Sequence, residues 1–189
     1  MSVALVRPAL GHLPSYRAAL EQGWSPDNVM PREAIGRELR AIAEDSGRFL
    51  AALDDPEARG GPIRMVDGST RPRLPGFRRW MWDGEFCGSI NFRWQHGTSA
   101  LPPHSLGHLG YGVVPWKRRR GIATRALGLL LVEIAPLGLP HVEVTTEPDN
   151  AGSHAVIEAN GGVLVEHFTK DAGYGGGPGV RYRIALATP

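Results

Sequence analysis

Two hydrophobic rhythms divide the chain. In the first 76 residues the apolar positions recur mostly every three or four places, which is the spacing of one helix face. Leu13, Tyr16 and Leu20 predict a helix over His12 to Gln22. Ile35, Leu39, Ile42, Phe49 and Leu53 predict a longer one from about Pro31, a residue suited to a first helical position, to about Leu53. Ser2 to Val6, ended by Arg7-Pro8, reads as a short strand, and Trp24 to Asn28 as a loop. Asp54-Asp-Pro, Gly60-Gly-Pro and Arg71 to Pro75 form a polar, irregular connection.

From Phe77 the rhythm changes to that of strands. Phe77 to Trp82, the turn signal Asp83-Gly84 and Phe86 to Trp94 predict a hairpin. A strand over about Leu106 to Val114 leads into a strongly apolar helix over about Arg119 to Ile134, which stops before Pro136. His141 to Thr146 is then a strand, Asn150 to Asn160 a helix, Gly162 to Phe168 a strand and Arg181 to Ala187 a last strand. The glycine-rich run 173–179 reads either as a flexible connection or as a cover over a site. Antiparallel strands around a central strand–helix–strand–helix segment make the chain α/β with one sheet. With no internal repeat in 189 residues, a single domain over 1–189 is expected. It divides into an N-terminal strand and helices (1–76), a sheet and binding core (77–168), and a flexible loop with a final strand (169–189).

Composition narrows the function classes. Hydrophobic residues are 42% and charged residues 21%, ordinary for a globular protein, and the formal net charge is only +2. Nucleic-acid binding rests on many phosphate contacts, so this balance argues against it. The single cysteine, Cys87, excludes an internal disulfide. Seven histidines without metal-ligand spacing give no metal site, so none is expected. There is no signal-peptide pattern and no apolar run of about 20 residues, so a cytoplasmic protein with no membrane association is expected.

Candidate chemistry concentrates in Gly110-Tyr-Gly-Val-Val-Pro-Trp-Lys-Arg-Arg-Arg-Gly-Ile-Ala-Thr124. Here an apolar strand breaks at Pro115 into a basic turn that opens a helix. Arg118-x-x-Gly121-x-Ala123 in that setting can hold a phosphate: backbone N–H groups are free at a helix start, and glycine lets the ligand come close. The N–H groups of residues 119 to 124, with the Thr124 hydroxyl, converge there. Three arginines in a row are also what a solvated charge run looks like.

The segment 106–166 resembles the acyl-CoA-binding core of the GNAT N-acetyltransferase superfamily, and within it a bacterial subgroup of predicted acetyltransferases. The resemblance is carried by Val-x-Pro-x-x-Arg-x-x-Gly-x-Ala, by Thr145-Thr-Glu-Pro-Asp-Asn150 followed by Ser153, and by Val156-Ile-Glu-Ala-Asn-Gly-Gly162. It implies a mixed, mostly antiparallel sheet of about six to seven strands, with a central splayed parallel pair and about four flanking helices. It implies that pantetheine pairs with exposed backbone groups of Tyr111, Gly112 and Val113. The pyrophosphate of acetyl-CoA then sits on Arg118, Arg119, Arg120, Gly121, Ile122, Ala123 and Thr124, with Asn150 and Ser153 on the following segment.

The activity it implies is acetyl transfer from acetyl-CoA to a primary amine by direct attack in a ternary complex. Neutralising a lysine-like amine near pH 7 costs roughly 4–5 kcal/mol, so a base is expected. His108 and Glu147 are the candidates, although each also has a structural reading, as a strand histidine and as an ion-pair partner. Many relatives place a tyrosine seven residues after the asparagine to protonate the leaving thiolate. This chain has Ile157 there, which leaves Ser153 as acid, water holder or helix cap. Trp80, Trp82 and Trp94 read as core or as an acceptor wall, and Cys87 as a buried small residue. A homodimer is compatible with the resemblance. A catalytically silent acyl-CoA-binding module and, more remotely, a nucleic-acid binder using the arginines are the competing readings.

Overall fold

A computed structural model describes residues 3–186; Ser2 and Ala187, at the ends of the first and last predicted strands, lie outside the described residues. In chain order the elements are β1 (Ala4–Val6), α1 (Leu13–Glu21), α2 (Pro31–Glu44), α3 (Ser46–Ala51), β2 (Asp54–Asp55), β3 (Ile63–Arg64), β4 (Thr70–Arg71), β5 (Gly76–Trp82) and β6 (Phe86–Arg93). Then follow β7 (Leu109–Val113), α4 (Ile122–Ile134), β8 (His141–Thr146), α5 (Ala151–Glu158), β9 (Gly162–Thr169) and β10 (Pro178–Ala185).

The long helix expected from Pro31 to Leu53 is two helices. Asp45 breaks it: its backbone is extended (φ −159°, ψ 97°) and its carboxylate accepts the Arg48 N–H at 2.9 Å. A short acidic side chain offers the backbone this local bond in place of the helical ladder, and so starts α3 afresh.

The expected single sheet is realised as two, apart from a two-stranded ribbon of β3 and β4. One runs β1-β5-β6-β7, with β2 also on β5; the other runs β8-β10-β9, and every ladder is antiparallel. The sheets meet where β7 approaches β8, and there the backbone is joined by the His108 N–H on the Glu143 carbonyl at 2.8 Å. Beyond that bond the strands diverge and β7 keeps a free edge, so the splay is wide enough to interrupt the ladder. The fold is otherwise the α/β arrangement expected, with five α-helices among the described residues because of the break at Asp45.

Strand alternation sorts the core onto the two faces. Met81, Ile90 and Phe92 pack with Leu127, Leu130, Val142, Ile157 and Ile184 against α4 and α5. Trp80 and Phe86 pack on the other face with Tyr16, Leu20, Ile42 and Phe49 from α1 to α3. Tyr16 stacks on Trp80 at 4.3 Å between ring centres and donates its hydroxyl to the buried Glu38 carboxylate, which also accepts from Arg78 at 2.9 Å. That buried triad fixes α1 and α2 against β5. The 173–179 run is a folded turn: Lys170 N–H bonds the Gly177 carbonyl at 2.9 Å, and the Tyr174 hydroxyl donates to the His104 carbonyl at 2.7 Å.

Candidate functional site

One cleft of about 1110 Å³ runs through the molecule. Its wide end lies between α2, the segments around β3 and β4, the start of β5 and the end of β6. Its narrow end enters the gap between Leu109–Gly112 of β7 and Val144–Glu147 at the end of β8, and reaches Asn150 and Ser153. Tyr111 and Gly112 therefore line it, as does Trp24, which the sequence placed in a loop. Trp24 packs beside Gly112 and is buried among Tyr16 and Phe86.

The basic turn stands at the C-terminal end of β7, beyond the cleft lining. Two of its residues take left-handed backbone, Arg119 (φ 60°) and Gly121 (φ 71°). Gly121 is the residue before α4, so no side chain caps the helix start. The N–H groups of Arg119, Arg120 and Gly121 donate to no carbonyl among the described residues, and those of Ile122, Ala123 and Thr124 are the orphans of a first helical turn. Six consecutive N–H groups are thus without a backbone partner at the positive end of the α4 dipole. The arginine side chains fold back: Arg118 donates to the Val113 carbonyl at 3.2 Å and Arg120 to the Trp116 carbonyl at 3.3 Å. Behind the turn, buried Lys117 pairs with Asp83 (2.7 Å) and Glu85 (2.9 Å) and ties it to the β5–β6 hairpin.

The three candidate catalytic residues separate. His108 does not line the cleft. It is fully buried just before β7, and its Nδ1 accepts the Glu143 N–H at 2.9 Å. Burial pushes its pKa down to about 4, so the ring is neutral at pH 7 with the proton on Nε2. It acts as a clasp between the two sheets. Glu147 does line the cleft, at the end of β8, and a hydrogen bond from Lys170 at 3.0 Å holds its carboxyl below the usual range. Ser153 lines the cleft too, and it is not the helix cap: Asn150 is, accepting the Ser153 N–H at 3.1 Å on its side-chain oxygen. The Ser153 hydroxyl makes no hydrogen bond among the described residues.

Several contributors to the cleft were not legible in the sequence. Tyr111, named for its backbone, also brings a hydroxyl 3.4 Å from the Ser153 carbonyl, and burial raises its pKa. His154 bonds the Tyr182 hydroxyl at 2.6 Å and lies 3.2 Å from the Glu147 carbonyl, which braces the corner carrying Glu147. Trp80, Trp82 and Trp94 are absent from the lining: Trp80 and Trp94 belong to the two core clusters and Trp82 packs on His12. Cys87 is buried and its thiol is pushed up to about 11, chiefly by that burial. No group of three or more potential metal ligands occurs among the described residues, and none of their helices is long and apolar enough to cross a membrane.

The comparisons with known proteins bear on this geometry. No curated protein sequence matches the chain. The fold is that of MccE, the microcin C7 self-immunity acetyltransferase solved with acetyl-CoA and AMP (15% identity, 97% of this chain and 92% of that one, TM-score 0.63). It is also that of RimL, a ribosomal L7/L12 α-N-protein acetyltransferase solved with coenzyme A (14%, 100% and 97%, 0.65). A third likeness is an acetyl transferase from Salmonella typhimurium that modifies the N-terminal serine of L7/L12 (13%, 99% and 96%, 0.56). The sequence pattern of the acetyltransferase (GNAT) domain matches residues 37–163, well over half of the chain, and the chain belongs to that family.

Proposed function

We propose that the chain transfers an acetyl group from acetyl-CoA to a primary amine by direct attack in a ternary complex. The observation that carries this reading is the continuity of one cleft from the wide end at α2 into the gap between β7 and β8. Donor and acceptor can enter that gap from opposite mouths and meet there, so that their encounter becomes intramolecular. Pyrophosphate on the six N–H groups of Arg119 to Thr124 leaves pantetheine to run along the free edge of β7 at Tyr111 to Val113. The thioester carbonyl then lies where a β7 N–H near Val113 can stabilise the oxyanion of the tetrahedral intermediate.

Glu147, ionised at neutral pH, takes the ammonium proton, directly or through one water. A carboxylate with a lowered pKa is a weak base, so its contribution is to gather and orient that water more than to drive the transfer. The Ser153 hydroxyl stands free to protonate the departing thiolate or to hold the water that does. His108 contributes by holding the base of the gap together rather than by touching the amine.

The test is CoA release by the purified chain from acetyl-CoA over a panel of amines, with acetyl-CoA affinity measured separately by calorimetry. Saturable release with at least one amine is expected. The competing reading, a silent acyl-CoA-binding module, draws on the buried Ile157 at the position where many relatives carry tyrosine. Tight acetyl-CoA binding with no release to any amine would establish that reading instead.

A further inference from the structure

The wide end of the cleft is far more cationic than the chain. Eight arginines and Lys170 line the cleft against five carboxylates, whereas the whole molecule carries only +2. Two of those carboxylates are already engaged, Glu38 by Arg78 at 2.9 Å and Glu147 by Lys170 at 3.0 Å. Asp27 and Asp55 spend oxygens on backbone N–H groups of their own loops.

Among these cations Arg93 stands apart. It is the last residue of β6, partly buried on the floor of the cleft, and its guanidinium makes no hydrogen bond or ion pair among the described residues. Three of the other half-buried arginines are ion-paired, Arg78 with Glu38, Arg79 with Glu133, Arg181 with Glu143 and Glu166, and Arg71 donates to the Thr70 carbonyl at 3.2 Å. A guanidinium taken partly out of water without a counter-ion is costly, and a ligand anion removes that cost.

The groups around it point the same way. Asn91, two residues back on the same face of β6, has a side-chain amide with no partner among the described residues. The register sets Asn91 opposite Gly110, and a methyl group built on Gly110 would lie 3.7 Å from the Asn91 amide nitrogen and 4.0 Å from an Arg93 nitrogen. Both donors therefore converge over a bare stretch of β7. His104, also on the lining, has a buried Nε2 with no partner, and its carbonyl holds the Tyr174 hydroxyl.

We propose that Arg93, with Asn91 beside it and His104 on the same lining, binds an anionic group, carboxylate or phosphate, on the acceptor, so that the acceptor is a small amine that also carries an acid. The proposal rests on the acetyl-transfer reading above and names its substrate class. Gly110 lies three residues before Val113, which at strand rise is about 10 Å, so the amine reaches the thioester from roughly that distance or less. Simple diamines and neutral amines lack the group that Arg93 is waiting for.

The experiment compares matched acceptors that differ only in the acid: 6-aminohexanoate against 6-aminohexanamide, and 6-aminohexyl phosphate against 6-aminohexanol. The wild-type chain is expected to favour at least one acid over its neutral partner by about 10- to 100-fold in kcat/KM, the range of a charge-assisted hydrogen bond. Arg93→Gln is expected to bring that ratio close to one, and Arg93→Lys to keep part of it. Because the ratio is taken within each variant, a general loss of activity or stability cancels. Which pair shows the preference separates carboxylate from phosphate. Transfer without acid preference, or a preference that survives Arg93→Gln, overturns this proposal alone. No transfer to any of the four by a chain that acetylates other amines overturns this proposal alone, whereas acetyl-CoA binding with no transfer to any amine of the wider panel overturns the transferase reading, and this proposal with it.

Discussion

At Gly121 the backbone, rather than the space around it, sets the constraint. A methyl group there would meet nothing within 4 Å, yet φ is +71°, a conformation that β-branched residues strongly resist. Gly121→Val is therefore expected to refold the turn and scatter the N–H groups of residues 119 to 124. Acetyl-CoA affinity measured by calorimetry should fall by about 10-fold or more, in keeping with a strain of ~1–2 kcal/mol, while the circular dichroism of the rest persists. Unchanged affinity in a folded variant would remove the turn from the donor site. Ser153 poses a different question, because its N–H is used by Asn150 and its hydroxyl is free. Ser153→Ala leaves that cap intact, so it should lower turnover by about 100-fold or more with little change in acetyl-CoA affinity; equal turnover would leave the hydroxyl without a chemical role. The N–H donors of the turn around Gly121 could be read in the sequence because a local turn supplies them. Arg93 and Asn91 could not, since their convergence over Gly110 depends on a register between strands 17 or more residues apart in the chain.

Among the elements, β7 carries the site, and its position depends on its neighbour. Gly88 on β6 faces Val113 with φ +153°, and a side chain there would collide with the Gly112 carbonyl. Gly88→Ala should push β7 outward at the residues proposed to line pantetheine. The expected result is a Tm lower by several degrees, since overpacking typically costs about 1–3 kcal/mol. A variant with wild-type Tm and wild-type acetyl-CoA affinity would mean that β7 yields freely at this point. The helix break belongs to the same scale. Ile35, Leu39, Ile42 and Phe49 fit one continuous apolar stripe, and periodicity alone cannot see that Asp45 will spend its side chain on the Arg48 N–H. Capping chemistry, which acts over three residues, overruled a pattern that extends over twenty.

Across the whole molecule the two sheets are joined at His108, and that joint has a pH signature. The folded pKa near 4 lies below the ordinary 6.5, so the unfolded chain binds this proton more readily than the native one. The stability linked to the neutral ring is fully present above about pH 6.5 and is lost as pH falls through that value towards 4, at most about 3 kcal/mol in all. His108→Asn keeps an acceptor for the Glu143 N–H but has no proton to take up. Denaturant unfolding should show the wild-type chain losing stability between pH 6.5 and 4 and the variant losing distinctly less in that interval. Parallel curves would place the titrating group elsewhere.

The amino-acid sequence by itself determined most of the elements, the basic turn that opens α4 and the family, because periodicity, turn residues and helix-start chemistry act over a few neighbouring positions. It also named residues on both sides of the gap, Tyr111 and Gly112 on one strand, Glu147 and Ser153 after the other. Only the tertiary structure decided what those residues face. It turned His108 into a clasp and the three tryptophans away from the cleft, and it gave the cap of α5 to Asn150. It also brought Trp24, Arg93, His104 and Tyr174 from separate parts of the chain to the lining of one cleft. The physical reason is that a side chain's neighbours across a sheet are set by strand register and by the angle at which two sheets part, and neither is encoded within a single element.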